Sequence, residues 1–229
     1  MVHIMGHRGA PAYEPENTLR SVARALDMGV AAVEVDVQLT RDGRLVVIHD
    51  ETVDRTTNGA GWVRDLTFAQ VRELDAGQGE RIPALEEVVD LVRSRGAHLV
   101  VEVKQPEAAP ACLEFFRGHP NVENMHLISF WHPLVRWLKE QEPRLRTGVL
   151  MVGCPADPVG LARAALAEAL VLHFAYVTPE LVAAAHAQGL LVYIWNIDAP
   201  AWLPPYLEMK VDGIGSNRPD VLIEYLRKR

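Results

Sequence analysis

The sequence predicts an α/β fold, a parallel (βα)8 barrel of the TIM type carrying a short lid-like insertion. Three observations lead there. Strand-like apolar runs alternate with amphipathic helical segments, the pattern of parallel strands joined by crossover helices. The length, 229 residues, is near that of eight such units in one domain spanning 1–229. An open doubly wound sheet would carry a Gly-rich turn after its first strand, and none is present.

The elements follow in order. Residues 2–5 are a short apolar run ending at Gly6-His7-Arg8-Gly9. Residues 17–28 place Leu19, Val22, Ala23 and Leu26 at helical spacing and stop at Gly29. Residues 30–37 are a β-branched run, and after the turn Arg41-Asp42-Gly43 the run 45–48 ends in His49-Asp50. Residues 51–83 hold Asn58-Gly59, Gly61, Gly77 and Gly79 with little strand patterning, which predicts an excursion over the C-terminal face of the strands. Beyond it, helices are predicted at 86–95, 109–117, 133–142, 158–169, 179–188, 201–208 and 219–227. Strands are predicted between them at 98–103, 126–130, 146–151, 170–174, 190–197 and 213–216. Nine strand candidates compete for eight places, and 170–174 is the one expected at the periphery.

Composition excludes several classes. With 49% apolar and 23% charged residues and no low-complexity tract, the chain is not disordered. The most apolar window, 159–177, contains Arg163, Glu168 and His173, so no membrane span is expected. The N-terminus lacks a basic region followed by an apolar core, and the two cysteines, Cys112 and Cys154, form no metal-type pair. A cytoplasmic location is expected. A net charge of −7 without any run of Lys or Arg argues against nucleic acid as a partner. Oligomeric state is left open.

Charged residues interrupt strands that should be continuously apolar. In Val33-Glu34-Val35-Asp36-Val37 the two acids share one face, and in Val101-Glu102-Val103-Lys104 the acid and the lysine share another. Each lies towards the C-terminal end of its strand, where barrel active sites are built. Two carboxylates about 4 Å apart repel by roughly 4 kcal/mol at an effective dielectric of about 20. Glu34, Asp36 and Glu102 converging without compensation would be costly or leave at least one protonated. A divalent cation removes the problem, and Lys104 is expected to neutralise only one of them. All-oxygen ligation without cysteine favours one hard divalent ion, Mg²⁺ or Ca²⁺. His7 and His49 each end an apolar run and supply a pair suited to general acid and base work. Arg8 offers a planar fork for phosphate oxygens and Lys104 a point charge. Such a set suits phosphoryl chemistry better than carbonyl chemistry.

The ordered series of short motifs resembles the glycerophosphodiester phosphodiesterase family over nearly the whole chain. It runs through His7-Arg8-Gly9, Pro15-Glu16-Asn17-Thr18, Glu34-Val35-Asp36-Val37-Gln38, Asp42-Gly43, Val47-Ile48-His49-Asp50 and Arg55-Thr56-Thr57-Asn58-Gly59. It continues through Ile82-Pro83-Ala84-Leu85-Glu86, Glu102-Val103-Lys104, Ser129-Phe130, Trp195-Asn196 and Asp212-Gly213-Ile214. The resemblance implies a barrel hydrolase that converts a small glycerophosphodiester to sn-glycerol 3-phosphate and an alcohol. It implies metal ligation by Glu34, Asp36 and Glu102, acid and base roles for His7 and His49, and phosphate binding by Arg8 and Lys104. His7 is favoured as donor to the leaving alkoxide, and either the glycerol 2-hydroxyl or water can attack. Glu16 becomes a neighbour of the site holding Arg8, and Phe130 and Trp195 an apolar wall for substrate. Trp131, Trp137 and Trp202 are read as packing residues.

Two departures matter. Where the family commonly shows Thr-Asp, this chain has Ser216-Asn217 before Arg218-Pro219, and Asn217 is given no catalytic role. The excursion 51–83 is short for a lid. Rival readings are a Schiff-base aldolase using Lys104 and a non-catalytic barrel that binds a phosphate ligand.

Overall fold

The computed structural model describes residues 2–120 and 122–228. Its strands are β1 (His3–His7), β2 (Ala32–Leu39), β3 (Leu45–Val47), β4 (His98–Val103), β5 (Met125–Ser129), β6 (Arg146–Met151), β7 (Ala169–His173), β8 (Leu191–Trp195) and β9 (Gly213–Ser216). The α-helices are α1 (Leu19–Asp27), α2 (Phe68–Glu73), α3 (Leu85–Ser94), α4 (Ala109–Arg117), α5 (His132–Gln141), α6 (Pro158–Ala164), α7 (Pro179–Ala187), α8 (Leu203–Met209) and α9 (Pro219–Arg227). All strands except β3 pair in parallel, in the order β1-β2-β4-β5-β6-β7-β8-β9, and β9 pairs with β1 to close the barrel. This is the (βα)8 architecture. Among the described residues no helix is long and apolar enough to cross a membrane.

The peripheral strand is β3, not the run at 170–174. β7 is a full member of the barrel, paired with β6 and β8. Its start was masked by the Ala-rich stretch before it, which reads as helix through position 169. The helix α6 ends at Ala164, because Ala165 caps it and Leu166 turns into the left-handed region at φ +57°. β3 is displaced for a topological reason. Only the turn at Thr40–Arg44 separates it from β2, too short for a crossover helix, so it returns antiparallel with Val37 opposite Val47.

Residues 51–83 are more ordered than their glycines suggest. They contain a 3₁₀ turn at Val63–Asp65, the helix α2 with a Thr67–Gln70 capping box, and a bridge between Thr52 and Trp62. Val53, Val63, Val71, Ala76 and Ile82 bury a small core of their own against Val46 and Ile48.

The main core lies between the barrel wall and the helices. Outward-facing Val33, Val35 and Val37 of β2 are 0% exposed and pack on α1 and α3 side chains such as Val22, Leu26, Val88 and Val92. Inward-facing Met5, Ala32, Val100, Ile128, Leu150, Ala169 and Val171 form a separate cluster along the barrel axis, each 4–8% exposed. The axis is therefore a cavity lined from His3, His98 and Arg146 at the N-terminal ends of the strands to His7, Glu102 and Trp195 towards their C-terminal ends. Trp131, Trp137 and Trp202 do not pack in a core, since all three are exposed.

Candidate active site

β2 and β4 are neighbours with Asp36 opposite Glu102 in register, so the period of two carries Glu34, Asp36 and Glu102 onto the inner face together. All three are buried, and one carboxylate oxygen from each lies within 4.8 Å of the others. Burial, reinforced by Asp36 and Glu102, pushes Glu34 well above the usual carboxylate range. Burial and the charge of Asp36 push Glu102 up to about 7. Burial also opposes ionisation of Asp36, but Arg8, Lys104 and His49, with a hydrogen bond from Asn17, outweigh it and hold this carboxyl low.

Two cations press against the triad. Arg8 Nε is 3.0 Å from Asp36 Oδ2, and Lys104 Nζ is 2.6 Å from Glu102 and 3.4 Å from Asp36. Lys104 thus serves two of the acids, one more than its position on the strand suggests. Burial opposes the charge of both bases, and the surrounding carboxylates overcome it, so both stay protonated. With all three acids ionised, the two cations leave one negative charge uncompensated, which is why Glu34 and Glu102 hold their protons more tightly than usual. Asp36 Oδ1 is buried without a hydrogen-bond partner. A converging all-oxygen set, in which Asp36 Oδ1 has no hydrogen bond and only the 3.4 Å ion pair with Lys104, fits a hard divalent ion.

The β1–α1 loop places Arg8. Gly9 sits at φ +88°, where a Cβ would come within 2.4–2.6 Å of Ser21 side-chain and backbone atoms, and Gly6 packs equally closely on the Gly9 carbonyl. Ser21 Oγ accepts from the Ala10 amide and donates to the Arg8 carbonyl, both at 2.9 Å. The Arg8 amide donates to Glu34 Oε2 at 3.1 Å. Asn17, whose amide donates to Asp36 Oδ2 at 2.8 Å, ties the start of α1 to the triad.

Both histidines line the cavity beside these groups, by different routes. His7 ends the parallel strand β1. His49 does not close a strand pointing at the rim; it follows antiparallel β3 and is delivered beside Asp36 by the Ile48 amide donating to the Asp36 carbonyl at 3.0 Å. Its Nδ1 lies 2.5 Å from Asp50 Oδ1. Asp50 in turn accepts from Arg55 Nε at 2.6 Å, Arg55 donates to both Glu16 oxygens at 2.8 and 2.9 Å, and Glu16 accepts from Arg8 at 3.0 Å. An unbroken line of ion pairs therefore joins the two sides of the mouth. Hydrogen bonds and charge from Arg55, against some burial, draw the Asp50 carboxyl far below its usual range. Burial and the charge of Arg8 push the His7 imidazole below its ordinary value.

The opposite side of the mouth is aromatic. Phe130 and Trp195 meet edge to face at 6.2 Å, and Trp195 meets His173 at 5.2 Å. Phe130 is 44% exposed, so it faces the opening and not the core. The whole cavity measures about 520 Å³, within the range of small-molecule sites.

The structure thus brings Glu34, Asp36, Glu102, His7, His49, Arg8, Lys104 and Glu16 together, with Phe130 and Trp195 across from them. Sequence reasoning gave no part to Asp50, Arg55, Asn17, Asn196, Asp198 or Asn217. Arg55 and Asn17 stand in short motifs that could have signalled them. Asp198 carries no signal outside its three-dimensional contacts.

The model of the glycerophosphoryl diester phosphodiesterase family matches residues 7–221. The chain is 35% identical over 237 residues to a glycerophosphodiester phosphodiesterase of Caldanaerobacter subterraneus subsp. tengcongensis, covering 98% of both chains. It is 30% identical over 248 residues to one from Bacillus subtilis, covering 95% of this chain and 84% of that one. Among solved structures, an Oleispira antarctica phosphodiesterase in complex with the product sn-glycerol-3-phosphate superposes with a TM-score of 0.93 at 26% identity, covering 98% of this chain and 96% of that one. A glycerophosphodiester phosphodiesterase from Thermotoga maritima gives 0.85 at 26% identity, covering 98% of each. With its barrel, its acidic triad and these matches along nearly its whole length, the chain belongs to the glycerophosphoryl diester phosphodiesterase family.

Proposed function

We propose that the protein hydrolyses small glycerophosphodiesters to sn-glycerol 3-phosphate and an alcohol, with one divalent cation, Mg²⁺ or Ca²⁺, held by Glu34, Asp36 and Glu102. The observation that carries this reading is the meeting of three buried carboxylates, Arg8 and Lys104 beside two histidines at one mouth of the barrel. When bound, the ion compensates the acids and supplies electrophilic charge beside the phosphoryl group.

The chain's own residues perform the proton transfers. Nδ1 of His49 is committed to Asp50, so Nε2 takes the proton of the attacking hydroxyl, either the glycerol 2-hydroxyl or water. The Asp50 carboxylate fixes the orientation of the ring through Nδ1. A bond forms from that oxygen to phosphorus, and the bond from phosphorus to the leaving oxygen breaks with its electron pair. His7 delivers its proton to that leaving oxygen. Water as attacker gives the monoester directly. The 2-hydroxyl instead gives a cyclic 1,2-phosphate, which a water, losing its proton to the now neutral His7, opens as His49 returns its proton to the 2-oxygen. Arg8 is held at Nη1 by Glu16 and at Nε by Asp36, which leaves Nη2 for a phosphoryl oxygen, with Lys104 on the other side. Phe130 and Trp195 exclude water from the apolar side of the substrate.

In this reading residues 1–229 work as one domain, and 51–83 form a small cover that contributes Arg55. Two unpaired cysteines, Cys112 buried and Cys154 exposed, suit a reducing cytoplasm. An aldolase reaction is disfavoured, because the carboxylates 2.6 and 3.4 Å from Lys104 keep its amine protonated.

The purified protein, incubated with glycerophosphocholine, glycerophosphoethanolamine and a lysophospholipid, is expected to hydrolyse at least one diester when either cation is supplied. Excess chelator should abolish turnover and Mg²⁺ or Ca²⁺ restore it. Undiminished turnover in chelator would remove the metal role, and no hydrolysis of any diester would remove the function.

A further inference from the structure

His7 is held by a two-residue relay that reaches it from the far end of the chain. The Asp198 carboxylate, in the segment after β8, accepts three hydrogen bonds: from Ser216 Oγ at 3.0 Å, from the Asn217 backbone amide at 2.7 Å and from Asn217 Nδ2 at 2.7 Å. An ionised carboxylate only accepts, so the side-chain nitrogen of Asn217 must be the atom facing it. The amide oxygen of Asn217 then points the other way, 2.8 Å from His7 Nδ1. That oxygen also only accepts, and His7 Nδ1 must carry a hydrogen.

Asn196 lies on the same atom, with its amide nitrogen 3.0 Å from His7 Nδ1 and its Oδ1 buried without a partner. Turning this amide end for end replaces a donor facing a donor with an acceptor, and moves the unpartnered buried position from the oxygen to the nitrogen. Every group around Nδ1 then agrees on one tautomer. The arrangement differs from that of His49, whose Nδ1 meets the Asp50 carboxylate directly at 2.5 Å. Asn217 transmits the orienting effect of a carboxylate to His7 while keeping the charge itself one residue away.

We propose that Asn217 and Asp198 are positioning residues that fix the hydrogen of His7 on Nδ1, so that the second proton, taken up when the ring becomes imidazolium, sits on Nε2 and is the one passed to the leaving oxygen. The inference deepens the proposed function and rests on its assignment of His7 as proton donor. The replacement of the family's usual acid by Asn at this position therefore retains a role in catalysis, through His7.

The test compares two diesters on the full-length protein with its cation: glycerophosphocholine, whose alcohol needs protonation, and glycerophospho-p-nitrophenol, whose leaving group does not. Asn217→Ala and Asp198→Ala are expected to lower kcat on glycerophosphocholine by about 10- to 100-fold, the scale of lost imidazole orientation, with KM little changed. On the activated diester the loss should shrink to a few-fold, as it should for His7→Ala. If His7→Ala discriminates between the substrates and Asn217→Ala does not, the positioning role is wrong. If His7→Ala loses equally on both, the donor assignment itself fails. Should the variants not fold, the wild-type protein still decides: nitrogen-15 imidazole spectra, assigned by the signal lost in His7→Gln, should show His7 protonated at Nδ1 when neutral. An Nε2–H tautomer there would overturn the proposal.

Discussion

At the scale of single residues, the site works by setting the charges of neighbours against one another. Among the described residues, His7 and His49 are the imidazoles beside the triad, and each Nδ1 is already occupied. Replacing either with Ala is expected to lower turnover at least about a hundredfold, measured on the preferred diester, the usual scale for general acid/base groups. Asp50 meets His49 on one side and Arg55 on the other, so Asp50→Asn should lower kcat about tenfold or more while leaving KM nearly unchanged. The triad predicts a second, thermodynamic behaviour. Glu102 keeps its proton up to about pH 7 and Glu34 is raised as well, so a cation arriving at lower pH must displace protons. Affinity for Mg²⁺ or Ca²⁺ should therefore rise as pH rises through about 7. Titration calorimetry in two buffers of different ionisation enthalpy should count more protons released on the acidic side of that value. An affinity independent of pH across that range would contradict the triad's assignment.

At the scale of elements, the β1–α1 connection carries more of the geometry than its length suggests. It holds Arg8 at φ +54° and Asn17 at φ +59°, and it hangs on Ser21 of α1, whose own N-terminus is capped by Thr18 at 3.1 Å. Two glycines with similar backbone angles separate strain from collision. Gly43, at φ +79°, has nothing within 4 Å of an added Cβ, so Gly43→Ala should cost only about 1 kcal/mol of backbone strain. Gly9, at φ +88°, would drive a Cβ into the backbone of Ser21, and Gly9→Ala should cost roughly 2 kcal/mol more than that. Urea unfolding of the two variants checks the difference. The antiparallel return of β3 is the other decisive element, because it brings His49 back to Asp36 from a strand that never joins the barrel.

At the scale of the whole molecule, the barrel's two ends differ in what they ask of ionisable groups. The catalytic mouth stabilises charge. Deeper along the same cavity, burial and then the charge of Arg146 push His126 down to about 4. The sign follows from linkage: between about pH 6.5 and 4 the unfolded chain binds a proton on this histidine and the folded one does not. Stability is therefore present above pH 6.5 and lost as pH falls towards 4, by on the order of 1–3 kcal/mol from this group. His126→Asn should flatten that part of the curve, as measured by denaturant unfolding at several pH values. An unchanged slope would mean the imidazole is solvated in the fold.

What was legible and what was not divides along one physical line. The amino-acid order determined the alternation of strands and helices, the closed parallel barrel it implies, and the shared face of Glu34 and Asp36, because side-chain direction in a strand is a local property of period two. It likewise exposed Glu102 and Lys104 as charges in a strand that ought to be apolar. Only the tertiary structure decided that β3 leaves the barrel while β7 joins it, since an Ala-rich boundary and a three-residue strand carry too little local pattern to rank. It alone joined Arg55 to Asp50 and Glu16, and Asn217 to a histidine 210 residues away. A hydrogen bond across that separation leaves no periodicity in the chain; it exists because closing the barrel lays the last strand against the first.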